Sequence, residues 1–186
     1  MIVNETEFIT KDGRTALLRS PREDDAQALI DYLRVTAGET EFVIRYPEEC
    51  GRYSIDGEKA FINNINTSDR DAMLICIVDG ELAGTCQISW TASIKTRHRA
   101  SVAIALTKAY WGLGIGTRMM EELFRIARGN ENLIQLELDF VEGNSRARAL
   151  YEKLGFRITG VKPNAIRLKD GTLLNEYSMV KMLDRN

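Results

Sequence analysis

One segment restricts this chain more than any other: a strand that runs into a glycine loop and directly out into a helix. Over residues 100–106, Val102, Ile104 and Leu106 alternate with the small residues Ser101, Ala103 and Ala105, as in a sheet strand buried on both faces. The loop ends Trp111, Gly112, Leu113, Gly114, Ile115, Gly116. From Thr117 the period changes, and Met119, Met120, Leu123, Phe124 and Ala127 recur at helical spacing until Gly129 caps the segment. The first turn of a helix carries unpaired backbone N–H groups and the positive end of the dipole. Glycines at 112, 114 and 116 remove the Cβ atoms that would hold a diphosphate off those amides, so the segment reads as a phosphate cradle.

The spelling tests which phosphate ligand it takes. A P-loop ends Gly-Lys-Ser/Thr, whereas this one ends Gly116, Thr117, Arg118. A dinucleotide fingerprint needs its third glycine one residue later, although Asp139 ends the next strand as a ribose-binding acid would. That reading predicts an oxidoreductase that binds NAD.

About thirty residues on comes a second distinctive run, Asn144, Ser145, Arg146, Ala147, Arg148, Ala149, Leu150, Tyr151, Glu152, Lys153, Leu154, Gly155, Phe156. It resembles the Asn-x-x-Ala-x-x-Leu-Tyr-x-x-x-Gly-Phe segment of the GNAT superfamily of acetyl-CoA-dependent N-acetyltransferases. The loop from Trp111 to Gly116 resembles the pyrophosphate loop of that family, Gln/Arg-x-x-Gly-x-Gly/Ala, with Trp111 in place of the polar first residue. The resemblance implies an α/β fold: a central, mostly antiparallel sheet of six to seven strands with one splayed parallel pair, flanked by about four helices in a single domain over residues 1–186.

The rest of the chain agrees with one soluble domain. Its 186 residues, 44% hydrophobic and 28% charged, suffice for a real core. A net charge of −2 argues against binding nucleic acid by phosphate neutralisation. No apolar run approaches the length of a membrane span, and residues 1–10 lack a signal-peptide pattern, so a cytoplasmic protein is expected. Cys50, Cys76 and Cys86 lack metal-ligand spacing. The Asp79-Gly80 pair predicts a two-residue hairpin turn between strands at 72–78 and 81–91, in which Cys76 would face Ala83 and Cys86 Met73, on opposite faces.

Earlier, a strand at 15–19 leads to a helix with Ser20 as N-cap, Pro21 in its first position and Glu23 completing a capping box. A second amphipathic segment at 56–65 turns Phe61, Ile62 and Ile65 inward, and residues 37–53 between them read as a loop. Residues 1–70 hold 14 acids against 9 bases, and Glu39, Glu41, Glu48 and Glu49 are candidates to attract a cationic amine. The single histidine, His98, sits in a basic connection and reads as structural. Strands at 133–140, 156–162 and 173–182 complete the pattern, the first turning Leu136, Leu138 and Phe140 one way and Glu137 and Asp139 the other.

By resemblance, Ile104, Ala105 and Leu106 offer backbone groups to the pantetheine arm of acetyl-CoA. Trp111, Gly112, Leu113, Gly114, Ile115, Gly116 and Thr117 hold its diphosphate, and Asn144 contacts the arm or caps the helix that follows. Tyr151 is the general acid that protonates the leaving thiolate, and Asp139 stands where the family places a glutamate base. No metal is implied. The acceptor is a primary amine of a small molecule or a peptide, and dimerisation through the terminal strands stays open. The competing reading is a protein that binds acetyl-CoA as a sensor without turnover.

Overall fold

The alternating segments become one sheet of eight strands. The structure, a computed structural model, describes residues 1–184. In chain order the strands are β1 (Thr6–Ile9), β2 (Thr15–Arg19), β3 (Asp71–Val78), β4 (Glu81–Trp90), β5 (Arg99–Leu106), β6 (Gln135–Val141), β7 (Arg157–Arg167) and β8 (Leu173–Met182). Their spatial order is β1-β2-β3-β4-β5-β6-β8-β7. Among the described residues only β5 and β6 pair in parallel. The strand beyond the expected six to seven is explained by β1, whose four residues are too short to declare themselves without the β2 partner they pair with. Four α-helices lie among the described residues: α1 (Ala26–Glu39), α2 (Ile55–Thr67), α3 (Ile115–Arg128) and α4 (Ser145–Lys153). None of them is long and apolar enough to cross a membrane.

The two faces of the sheet carry different helices. On one, Met119, Met120 and Leu123 of α3 pack with Leu74, Ile88, Val102, Leu136 and Leu138, all at most 5% exposed. On the other, Leu29 of α1 and Ile62 of α2 close over Met73 and Ile75. Each such side chain contributes about 1.5–3 kcal/mol by leaving water. β5 departs from the expected double burial: Ala100 and Val102 are buried, whereas Ser101 and Ala103 are exposed. Only one of its faces has a helix pressed against it.

The hairpin turn forms as expected, with Asp79 at φ 53° and Gly80 at φ 82°. Its register does not hold. A bulge between Cys76 and Ile77 sets Cys76 opposite Gly84 and Cys86 opposite Leu74. One extra residue reverses the facing of everything beyond it, so both thiols point into the same core layer rather than to opposite faces. Both remain free and buried.

The start of α1 also differs. Ser20 is buried and accepts a hydrogen bond from the backbone of Val3, so it cannot cap. The turn is closed instead by Asp25, which accepts from the amide of Arg22 at 2.6 Å and from the Arg19 guanidinium at 2.6 and 2.8 Å. A 3-10 turn, Pro47–Arg52, occupies part of the expected loop. Phe61 is 39% exposed and does not join Ile62 and Ile65 in the core.

The decisive feature is a separation of strands. β5 and β6 pair only from Arg99 to Ser101, against Gln135 to Glu137. Beyond that they diverge, leaving the edge of β5 from Val102 to Leu106 without a β6 partner.

Candidate functional site

At the end of β5 the chain turns through Gly112 at φ 79° and Gly114 at φ 87°. Both are left-handed conformations that side-chain-bearing residues resist. Gly114 is the N-cap of α3, and the first helical bond runs from Arg118 N to Gly114 O. The amides ahead of Arg118 therefore have no intrahelical partner. A Cβ on Gly112 would meet nothing within 4 Å, so the loop is open to whatever approaches it.

The loop forms one wall of a cavity of about 360 Å³. Of the residues singled out in the sequence, Ile104, Ala105, Leu106, Trp111, Gly112, Gly114, Gly116, Thr117, Asn144 and Tyr151 line it. Leu113 and Ile115 do not. Ile115 is fully buried under the sheet, and Leu113 packs against the core while its carbonyl accepts from Lys11 N at 3.0 Å. The alternation of the loop forces this, since the glycines face the cavity and the branched residues between them face inward.

Three cations that sequence spacing did not flag border the same cavity: Lys11, Arg146 and Lys153. Lys11 arrives from the turn after β1, brought there by its backbone bond to Leu113. Arg146 lies over the Trp111 ring, 4.9 Å from its centre. Trp111 is itself fixed by a 2.8 Å bond from its indole N–H to Leu106 O. The tryptophan that breaks the loop pattern thus positions a guanidinium. Unpaired amides and three cations around one cleft suit a ligand carrying several phosphates.

Asn144 caps α4, its Oδ1 accepting from Ala147 N at 3.1 Å, and also borders the cavity. Tyr151 is 6% exposed, between Phe140 and Phe156, with ring centres 6.3 and 6.0 Å away. Burial pushes its phenol up to about 12. It stays protonated at neutral pH.

Asp139 is not with these groups. It lies outside the cavity; its carboxylate accepts from the Ser178 hydroxyl at 2.5 Å and lies 3.7 Å from Lys162. On β6 it faces away from the core as its alternation demands, but β6 has already diverged from β5 at that height. Three of the four acidic side chains expected to gather an amine are also engaged elsewhere. Glu39 accepts from Lys108 N at 2.8 Å, Glu49 from Tyr46 N at 2.7 Å, and Glu48 pairs with Lys169.

A second cavity, about 690 Å³, lies between α1, α2 and the exposed face of β5. It shares Phe42, Val43, Ile104 and Ala105 with the first, so the two meet where β5 leaves β6. Arg45, Tyr53, Glu58 and Phe61 border it. None of these carried a motif, because each is recruited from a different turn or helix face. No group of three His, Cys, Asp or Glu side chains among the described residues could hold a metal ion.

Comparison with known proteins completes the picture. The model of the acetyltransferase (GNAT) family matches residues 29–156. An N-alpha-acetyltransferase of Saccharolobus solfataricus is 29% identical over 160 residues, covering 81% of this chain and 86% of that protein. The solved acetyltransferase of GNAT family from Streptococcus pneumoniae superposes with a TM-score of 0.83 at 27% identity, over 90% of this chain and 99% of its own. YncA from Salmonella typhimurium, solved with its cofactor acetyl-CoA, shares the fold at a TM-score of 0.76 and 18% identity, over 99% of this chain and 96% of its own.

Proposed function

Since the chain belongs to the GNAT acetyltransferase family, we propose that its two joined cavities are the two substrate sites of one N-acetyl transfer, with acetyl-CoA in the first and an amine in the second. The observation that carries this reading is the shared wall of Phe42, Val43, Ile104 and Ala105. A thioester lying along β5 would present its carbonyl to an amine entering from the α1 and α2 side.

The diphosphate sits against the Gly112 to Gly116 turn, with Lys11, Arg146 and Lys153 supplying positive charge around it. The unpaired edge of β5 offers backbone groups to the pantetheine arm and to the oxyanion. An amine in its free-base form attacks the thioester carbonyl, a C–N bond forms, and the C–S bond breaks. The amine has by then given up two protons, one before attack and one after it. An amine of pKa near 10.4 costs roughly 4–5 kcal/mol to deprotonate at pH 7, so a neighbouring base matters. Tyr151, still protonated, donates its O–H to the departing sulfur.

Melting the protein with acetyl-CoA, CoA or NAD tests the reading, because a ligand that binds only the folded state must raise the midpoint. A rise with both CoA species and none with NAD is expected, followed by thiol release in the presence of an acceptor amine. No rise with either CoA species overturns it, and binding without thiol release across an amine panel would leave the sensor reading in its place.

A further inference from the structure

The second cavity holds charges that the fold leaves unused. Glu58, in the first turn of α2, is 8% exposed, and among the described residues no group donates a hydrogen bond to its carboxylate. Arg45 is the cation that acts on it, yet the two form no ion pair. The buried Nε of Arg45 has no acceptor, and the guanidinium makes a single long bond, 3.4 Å, to the Tyr53 hydroxyl. Other arginines of this chain are neutralised, Arg14 by Asp12, Arg19 by Asp25 and Arg148 by Glu152. A buried guanidinium nitrogen and a buried carboxylate, each without a hydrogen-bond partner, are costly unless a ligand completes both.

Resting on the transferase reading above, we propose that the acceptor is a free α-amino acid with an apolar side chain, its carboxylate on the Arg45 fork, its amine at Glu58 and its side chain against Leu33, Phe61 and Met73. A guanidinium with an open edge matches a carboxylate in a way that an amide oxygen does not. A polyamine would meet Arg45 and Arg52 in the same cavity, two cations against one anion. A peptide N-terminus has an amide where Arg45 calls for a carboxylate. The apolar walls exclude a third charge on the ligand.

Glu58 then acts as the base. Its carboxylate takes one proton from the ammonium, and the freed lone pair forms the C–N bond as the C–S bond breaks. The second amine proton replaces the one that the Tyr151 phenol gives to the sulfur, and Glu58 returns its own to water. Burial raises the Glu58 carboxyl above its ordinary range, which favours accepting that proton, while Arg45 opposes the rise. The charged and titratable groups that line the cavity with it are Arg45, Arg52 and Tyr53, while the Cys86 thiol of β4 points to the opposite face of the sheet, toward Met119.

Thiol release measured with free leucine, methionine and phenylalanine, their amides and a leucine-led tripeptide tests this. The free acids are expected to be the better substrates, although the amides carry the more easily deprotonated amine. Arg45→Ala should raise KM for leucine about 10- to 100-fold, the worth of a charge-assisted bond, with little change for leucinamide. Glu58→Gln should lower kcat about a hundredfold, the deficit shrinking as the buffer approaches the pKa of the amine. Unchanged acetyl-CoA affinity by calorimetry shows that each variant is folded. Acetyl-CoA binding with no turnover of any free amino acid, preference for amides or tripeptide, or an Arg45→Ala enzyme with unaltered selectivity overturns the proposal and leaves the first reading standing. Failure of the wild-type protein to bind acetyl-CoA overturns that first reading itself.

Discussion

The Tyr32 hydroxyl on α1 donates a 2.8 Å hydrogen bond to the carbonyl oxygen of Ala105, the β5 residue that lines both cavities. A buried phenol from α1 thereby fixes the strand on which the two cavities meet. Tyr32→Phe removes the bond but keeps the ring, leaving a carbonyl short of one donor. The expected loss is about 1 kcal/mol of stability, read as a lower melting midpoint, with a raised KM for acetyl-CoA. An unaltered KM would show that the bond braces the core alone.

Tyr151→Phe should lower kcat far more than it changes the affinity for acetyl-CoA. The ring packing against Phe140 and Phe156 survives the change, so folding should too. Steady-state kinetics beside calorimetry separate the two quantities. An unchanged kcat removes the phenol from the chemistry.

Asp139→Asn should leave kcat near its wild-type value. The carboxylate accepts from Ser178 and lies beside Lys162, outside both cavities. A large loss of kcat with intact acetyl-CoA binding would return Asp139 to the role of base.

Gly114→Val should abolish acetyl-CoA binding. A Cβ there would meet only Lys11, at 3.7 Å, so the penalty comes from φ +87°, which a β-branched residue resists. Relaxing that strain moves the amides that open α3. Calorimetry on a variant with native circular dichroism checks it, and normal binding would move the diphosphate site elsewhere.

Stability should fall in strong alkali. Burial raises the phenols of Tyr32 and Tyr151 to about 12 from 10.0. A raised folded-state pKa contributes stability that is complete below the unfolded value and lost as pH climbs toward the folded one. The decline therefore belongs between about pH 10 and pH 12 for the phenols. The Cys76 thiol, raised by burial from 9.0 to about 12, begins it earlier. For each phenol the loss is roughly 2–3 kcal/mol. Denaturant titrations across that range should show a shallower slope for Tyr151→Phe.

Local pattern made much of this legible. The glycine loop, the α3 stripe, the Asp79-Gly80 turn and the run from Asn144 to Phe156 are all short-range features, and each forms close to where the spacing put it. Side-chain alternation also sorted the faces of β6 correctly. What failed were statements about partners. The acids Glu39 and Glu48 looked available because nothing nearby in sequence pairs with them, and the groups that do, the Lys108 amide and Lys169, come from far along the chain.

The sequence by itself determined that a strand, a glycine turn and a helix N-terminus would follow one another, because those requirements are met within a dozen consecutive residues. Only the tertiary structure decided the rest. The bulge at Cys76 turned two thiols to one face, the divergence of β5 from β6 stranded Asp139, and the closure of α1 and α2 over β3 left Arg45 and Glu58 on one cavity. These outcomes depend on register and on helix placement, which are set by packing between residues distant in sequence and leave no local trace.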